Sequence, residues 1–206
     1  MLASCLSCSL ATRVKRQGRQ SAQRAYYMEL LMSSNQKMQQ GQSEQEIIRI
    51  AAQQLQSLLG RPVLYALLEK DRQLRFHAVP ASESEQTMGR LTAEELGVAE
   101  WVAKNDKHAG ATTSTLSHAQ NLYLSVRGNQ EVMAVVGIPS KFYPPLDTFE
   151  KNLMIAMLDE CGLILERRKL RAEKQAAEME TQREQLRADL LRAISHDLRT
   201  PLTAIS

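Results

Sequence analysis

Apolar residues recur at helical spacing in two early stretches of the chain. Residues Ser43–Glu46 have the sequence of a capping box, which is a common start of helices. The pattern predicts a helix from there to Gly60, with an apolar face made of Ile47, Ile48, Ala51, Leu55, Leu58 and Leu59. A second cap at Thr92–Glu95 predicts another helix, which passes Trp101 and ends at Asp106.

Short apolar runs between these helices predict strands. Residues 62–70 and 73–80 are joined by a short polar turn, and residues 121–127 and 131–139 are joined at Gly128. Each pair predicts a β-hairpin. Helix, hairpin, helix, hairpin and long helix is an α+β order, which predicts one antiparallel sheet with helices on its faces.

The last helix is predicted to be long. It begins with a cap at Asp147–Glu150, and Gly162 is the one helix breaker before the charged stretch 166–192. Apolar residues keep a heptad step at Leu163, Leu170 and Ala177, but residues 179–185 interrupt it. This stretch fits either a parallel dimer helix that carries a signal or a solvated charged helix. The apolar stripe after Leu186 favours the dimer, because an exposed stripe is costly in water.

The end of this helix carries residues that could take part in a chemical reaction. On a helix, His196 lies opposite a stripe made of Leu190, Leu191, Ile194, Leu198, Leu202 and Ile205. A neutral imidazole is a nucleophile near neutral pH, and Asp197 could hold the proton of its second ring nitrogen. Thr200, one turn along, could orient a water, and Pro201 is expected to bend the helix. A lone His-Asp pair would be an ordinary surface feature, but the whole string suggests more.

The string Ser195–Leu202 resembles the phosphoacceptor box of sensor histidine kinases, H-[DE]-x-x-[TN]-P. The resemblance implies that His196 accepts the γ-phosphoryl group of ATP and that Asp197 is its acid/base partner. It implies that Thr200 positions the water that dephosphorylates a response regulator. ATP and magnesium are implied for the full-length kinase, with an ATP-binding domain after residue 206 and a homodimer through the C-terminal helix.

The segment itself has no phosphate-binding motif. It contains neither a P-loop nor a G-x-G-x-x-G sequence. Phosphoryl transfer needs bound ATP, a metal ion and groups that hold the phosphates. We therefore expect no cofactor in this segment, and no kinase activity from the 206-residue chain alone.

The α+β region, residues 41–165, resembles a GAF domain. Similarity to potassium-responsive sensor kinases, as an internal segment, rests on Glu100–Val102, Ala109–Ala111, Thr115–Leu116, Leu122–Leu124 and Val135–Gly137. A GAF-type pocket would have as candidate lining residues His77, His108, Thr112, Thr113, His118 and Tyr123. The histidines share no metal-ligand spacing, so we expect no metal and a regulatory module whose pocket is empty or vestigial.

Charge is concentrated at the N-terminus. Five of the 26 basic residues, and none of the 23 acidic ones, lie in residues 1–24, so a nucleic-acid role has little support. The apolar run Met1–Thr12 is too short to span a bilayer and precedes the basic cluster. That order predicts the cytoplasmic exit of a bacterial inner-membrane helix whose earlier part is absent, continued by a helix from Tyr26 to a joint at Gly41. A frayed terminus is the alternative.

The three cysteines suggest no cofactor site. Cys5 and Cys8 form a C-x-x-C without a second Cys/His pair, so chance spacing is the simpler interpretation. Cys161 lies in an apolar helical pattern and is expected to be a small core residue. An odd number of cysteines fits a reducing compartment.

These observations give a four-part plan and two competing functions. The parts are a membrane exit and juxtamembrane helix (1–40), a GAF-like sensor domain (41–165), a signalling helix (166–189) and the start of a phosphoacceptor domain (190–206). The first hypothesis is a segment of a sensor histidine kinase that autophosphorylates on His196. The alternative is a non-catalytic GAF-type module for ligand binding or dimerisation. A GAF-containing hydrolase is a third possibility, but it lacks a metal or nucleophile constellation.

Overall fold

A computed structural model describes residues 25–202, apart from residue 27 and the segments 69–73 and 80–90, and their side chains as far as residue 194. The predicted membrane exit, its basic cluster, Cys5 and Cys8 lie outside the described residues. Within the described residues, no helix combines the length and the apolar character needed to cross a bilayer. The chain divides into two units, Met1–Glu166 and Arg167–Ser206.

Among the described residues of the first unit, two helices come first, α1 at residues 28–39 and α2 at Glu44–Leu59. The capping box that predicts α2 is confirmed, because the Ser43 hydroxyl accepts the amide of Glu46 at 3.1 Å. The Glu46 carboxylate in turn accepts the amide of Gln42 at 2.8 Å. α2 ends at Gly60, whose left-handed φ of 64° suits a residue without a side chain.

The strands form one antiparallel sheet, as predicted. Their order across the sheet is β2-β1-β5-β4-β3, with bounds Val63–Leu67 (β1), His77–Val79 (β2), Ala109–Gly110 (β3), Asn121–Arg127 (β4) and Val132–Pro139 (β5). Both predicted hairpins are confirmed, β1 with β2 and β4 with β5. The two-residue strand β3, which pairs with β4, is too short to give a sequence signal.

Two further helices complete the first unit. Helix α3, Ala93–Asn105, is capped by the hydroxyl of Thr92 and ends at Asp106 in a left-handed conformation. Helix α4, Thr148–Leu202, starts at a reciprocal cap. The Asp147 carboxylate accepts the amide of Glu150 at 2.7 Å, and the Glu150 carboxylate accepts that of Asp147 at 2.9 Å. Both predicted helix starts are confirmed.

The sheet is buried on both faces, because alternate residues of its central strands enter two clusters. On β4, Leu122, Leu124 and Val126 belong to the larger cluster, together with α2 and the beginning of α4. Tyr123 belongs to the smaller cluster, together with Val98, Ala99 and Val102 of α3. Gly137 of β5 lies against Tyr123, where an added Cβ would come within 2.7 Å of the ring. This two-faced core is the predicted α+β arrangement.

As far as Leu202, the second unit is the continuation of α4. The side chains at residues 170–194 are exposed, including the apolar residues Leu170, Met179, Leu186, Leu190, Leu191 and Ile194. The helix continues through Pro201 to Leu202. As far as residue 194, the predicted apolar stripe is therefore uncovered in a single copy of the chain.

Candidate functional site

The candidate phosphoacceptor segment lies near the end of α4. Its backbone is helical at His196, Asp197 and Thr200, so the helical spacing assumed for these residues is present. Their side chains lie outside the described part of the structure. The roles assigned to them stay predictions. The polar and titratable side chains whose contacts can be described lie in the first unit.

A buried carboxylate is the main polar feature of that unit. Glu95, in the first turn of α3, is 7% exposed. Its Oε1 accepts the amide of Gln120 at 2.6 Å, and its Oε2 accepts the Asn121 side-chain amide at 2.6 Å and the Tyr123 hydroxyl at 2.8 Å. Three donors therefore bind the two carboxylate oxygens and fix α3 against the start of β4.

Tyr123 is the donor that lies deepest. Its ring is fully buried and meets Phe76 edge-on at 6.2 Å between centroids. Burial raises the pKa of Tyr123 well above its usual 10.0, and the hydrogen bond to Glu95 raises it further. The hydroxyl therefore stays protonated and acts as a donor. Because Tyr123 and the small residues around it fill the space between α3 and the sheet, this region is packed as a core.

The sequence signal at Glu95 has two interpretations, a helix cap and a buried carboxylate. Its amide is bonded to the Thr92 hydroxyl at 3.3 Å, as the predicted cap requires, but its carboxylate reaches β4. Positions 95, 98, 99 and 102 share one face of a helix, so Glu95 lies on the apolar face of α3. A carboxylate on a buried helix face must find donors, and this signal could have identified the network.

The three histidines of the candidate pocket lie apart. His77 is on the edge strand β2, where its ring stacks on Tyr65 at 5.5 Å. His108 and His118 are exposed near the opposite edge of the sheet, and His118 lies 3.3 Å from the Glu94 carboxylate. In the part of the chain that the structure describes, no three His, Cys, Asp or Glu side chains come together as a metal site.

The other candidate pocket residues shape a loop. The Thr113 hydroxyl lies 2.8 Å from the carbonyl oxygens of Gly110 and Thr115 and holds the turn between them. Thr112 is exposed and has a left-handed φ of 66°. Of the six predicted lining residues, Tyr123 is the buried one. The structure therefore does not bring this set together around one ligand.

A groove of about 320 Å³ lies between α1 and the first part of α4. Four of its nine lining residues are methionines, Met28, Met32, Met38 and Met157. Its polar lining residues are Ser34, Asn35 and Glu160. The Asn35 amide donates to Glu160 at 2.7 Å, and the buried Ser34 hydroxyl has no hydrogen-bond partner. The groove can hold an apolar group, but these residues form no nucleophile and base pair.

Cys161 is fully buried in the larger cluster, as predicted. Burial raises the pKa of its thiol from 9.0 to about 12, with a smaller contribution from Glu160. Because the unfolded thiol ionises first, Cys161 stabilises the folded state fully below pH 9.0, and this contribution is lost as the pH rises towards about 12. The thiolate is the reactive form, so the folded chain protects this residue.

We expect iodoacetamide at pH 8 to modify Cys161 about 10³-fold more slowly in the folded chain than in urea, from the difference in thiolate fraction alone. Replacing Cys5 and Cys8 by serine leaves a single thiol, so mass spectrometry over time gives the rate directly. Similar rates in the folded and unfolded chains would show that the Cys161 thiol is accessible and is not buried in the folded chain.

Sequence comparisons relate the whole chain to one group of proteins. No protein-family model matches it. It is 28% identical over 210 residues to the sensor protein KdpD of Clostridium acetobutylicum, an alignment that includes all of this chain and 23% of that protein. It is 31% identical over 116 residues to the sensor protein KdpD of Escherichia coli, with 56% of this chain and 13% of that protein aligned. The chain thus spans less than a quarter of the length of these relatives.

Solved structures share the fold of the first unit. The GAF domain of the potassium sensor histidine kinase KdpD from Escherichia coli superposes with a TM-score of 0.57 at 20% identity, covering 70% of this chain and 96% of that one. The GAF domain of an Acinetobacter phosphoenolpyruvate-protein phosphotransferase has a TM-score of 0.52 at 12% identity, covering 68% and 92%. The predicted GAF fold is confirmed, and the chain contains this fold and is similar to the sensor protein KdpD.

Proposed function

We propose that this chain is the part of a two-component sensor histidine kinase that joins a GAF domain to the phosphoacceptor histidine, His196. The observation that carries the proposal is one continuous helix, α4. It starts in the first unit, called the GAF unit from here on, and includes the string Ser195–Leu202. The similarity to the sensor protein KdpD over the whole chain supports it. A potassium or osmotic stimulus is proposed from that similarity.

The chemistry proposed for His196 is an in-line phosphoryl transfer. A ring nitrogen forms a bond to the γ-phosphorus of ATP while the bond to the bridging oxygen breaks and ADP leaves. Asp197 takes the ring proton, which keeps the imidazole nucleophilic. The phosphoryl group then passes to an aspartate of a response regulator, and Thr200 orients a water when the regulator is dephosphorylated.

The remaining parts of such a kinase would supply what this segment lacks. Since the chain spans 23% of the Clostridium relative, an ATP-binding domain with its ATP and magnesium would lie elsewhere in the full protein. We propose a homodimer through α4, because the stripe that includes Leu186, Leu190 and Ile194 is exposed in one copy. We also propose attachment to the bacterial inner membrane through the N-terminal residues, with this segment on the cytoplasmic side.

A non-catalytic GAF module is the second candidate. The observation in its favour is that the buried polar residues of the first unit stabilise the fold, since Glu95 and Tyr123 hold α3 to the sheet. Such a module would bind a ligand or a second copy, and His196 would be incidental. It gives no reason for the order His-Asp-x-x-Thr-Pro, so we favour the kinase.

The two candidates are separated by labelling with ATP and magnesium. We expect the full-length protein to acquire acid-labile, alkali-stable phosphate that peptide mapping places on His196, and the 206-residue chain alone to acquire none. Label on the isolated chain would contradict the proposed need for a separate ATP-binding domain. An unlabelled full-length protein that contains such a domain would favour the non-catalytic module.

A further inference from the structure

A buried glutamate binds the β4–β5 turn to α4. Glu166, the last residue of the first unit, is 5% exposed. Its Oε2 accepts the backbone amide of Asn129 at 2.8 Å and the Asn129 side-chain amide at 2.9 Å. Its Oε1 accepts the backbone amide of Gln130 at 2.9 Å. Both oxygens of one carboxylate therefore accept hydrogen bonds from this turn, at the residue where α4 leaves the first unit.

Two glycines allow close contact between the β4–β5 hairpin and the helix. Gly162 lies one helical turn before Glu166, and an added Cβ there would come within 1.9 Å of the Arg127 carbonyl oxygen. At Gly128, an added Cβ would come within 2.7 Å of the Glu166 carboxyl carbon. Neither position has room for a side chain. The turn and α4 thus fit together at two levels, one of packing and one of hydrogen bonds.

The turn is also connected to α3. Arg127, at the end of β4, lies 2.6 Å from the carboxylate of Asp106. Asp106 is the left-handed residue that ends α3. Because Arg127 is about half exposed, this ion pair contributes modestly to stability. Its position is more informative, since Arg127 contacts α3 through its side chain and α4 through its carbonyl group.

We propose that the β4–β5 turn is a latch that couples α3 to the exit of α4. In the closed latch, the Glu166 carboxylate holds the turn and fixes the last helical turn of the GAF unit. A change at α3 that moves Arg127 shifts the turn, weakens the bonds to Glu166 and releases that part of α4. The idea that α4 carries a signal rests on the proposed function. The coupling between α3 and Glu166 does not, because it lies within the first unit.

Amide hydrogen exchange of the 206-residue chain tests the latch without ATP. Glu166→Gln keeps the shape but places an amide group against N–H donors, so we expect the Asn129 and Gln130 amides to exchange about 10-fold faster or more. The matched control is Glu173→Gln, an exposed glutamate on the same helix, which should leave both amides unchanged. Unchanged exchange in Glu166→Gln would overturn the proposal.

Coupling to α3 needs a second variant, because a purely structural clamp would also fail when Glu166 is replaced. We expect Asp106→Asn to speed exchange of the Asn129 and Gln130 amides about 3-fold, and the double variant to give less than the product of the single effects. The coupling would be overturned if the exchange rates in the double variant equal the product of the two single effects. It would also be overturned if Asp106→Asn has no effect on exchange. If Glu166→Gln does not fold, Asn129→Ala replaces it, since Asn129 is exposed and only its side-chain donor is lost.

Discussion

Replacing His196 by glutamine in the full-length protein is expected to reduce phosphorylation from ATP to background. Glutamine retains polarity and helix propensity, but its amide nitrogen is not a nucleophile, so no covalent phosphoryl intermediate can form. The measurement is the acid-labile phosphate acquired with ATP and magnesium. His118→Gln is the matched control, since His118 is an exposed histidine of the GAF unit and its loss should leave labelling unchanged.

Two neighbouring substitutions distinguish the roles proposed around His196. Asp197→Asn removes the group that takes the ring proton, and we expect labelling to slow by about 10²-fold. Thr200→Ala should leave labelling intact and slow dephosphorylation of the response regulator instead. Normal labelling of His196→Gln would show that the phosphoacceptor is another residue. Equal losses in both steps for Thr200→Ala would contradict its assignment to water positioning.

Features encoded within a few residues could be predicted from the sequence. The caps at Ser43 and Asp147 each need a partner three residues away, and both helix starts are where the pattern places them. The hairpin at Gly128 is equally local. In each case the side chain and the backbone group that it satisfies are neighbours in sequence, so a single chain without relatives is enough to find them.

Features that depend on distant contacts could not be placed in this way. Glu166 belongs to the charged stretch after the GAF domain by composition, yet it is buried against a turn 36 residues earlier in the chain. Gly162 looks like a helix breaker, but within a helix its role is close contact with Arg127. Both contacts depend on the β4–β5 hairpin. The periodicity along α4 does not show which residues of the sheet lie against the helix.

The candidate pocket shows that residue type is a poor guide to position. The histidines and threonines are candidate lining residues because GAF domains can hold ligands, but His77 lies on one edge strand and Thr113 shapes a loop near the other edge. The residues that do converge are Glu95, Asn121 and Tyr123. Their common feature is a buried helix face opposite a strand, which can be predicted only once α3 and β4 are known to be in contact.

The Glu95 network leads to the second prediction with a large effect. Glu95→Gln should lower the free energy of unfolding of the GAF unit by about 2–3 kcal/mol, because a neutral amide replaces a buried acceptor that satisfies three donors. Urea unfolding followed by fluorescence gives the value, since the single tryptophan, Trp101, lies on α3 and packs against the smaller cluster. Tyr123→Phe removes one donor from the same oxygen and should cost about 1 kcal/mol.

The adjacent glutamate provides a stringent control for this prediction. Glu94 has the same backbone context as Glu95, but it is exposed and pairs with the exposed His118, so Glu94→Gln should change stability by less than about 0.5 kcal/mol. In the double variant Glu95→Gln with Tyr123→Phe, the two losses should not add, because the hydroxyl and the carboxylate belong to one hydrogen bond. Equal effects of Glu94→Gln and Glu95→Gln would show that charge at the start of α3, and not the buried network, stabilises the GAF unit.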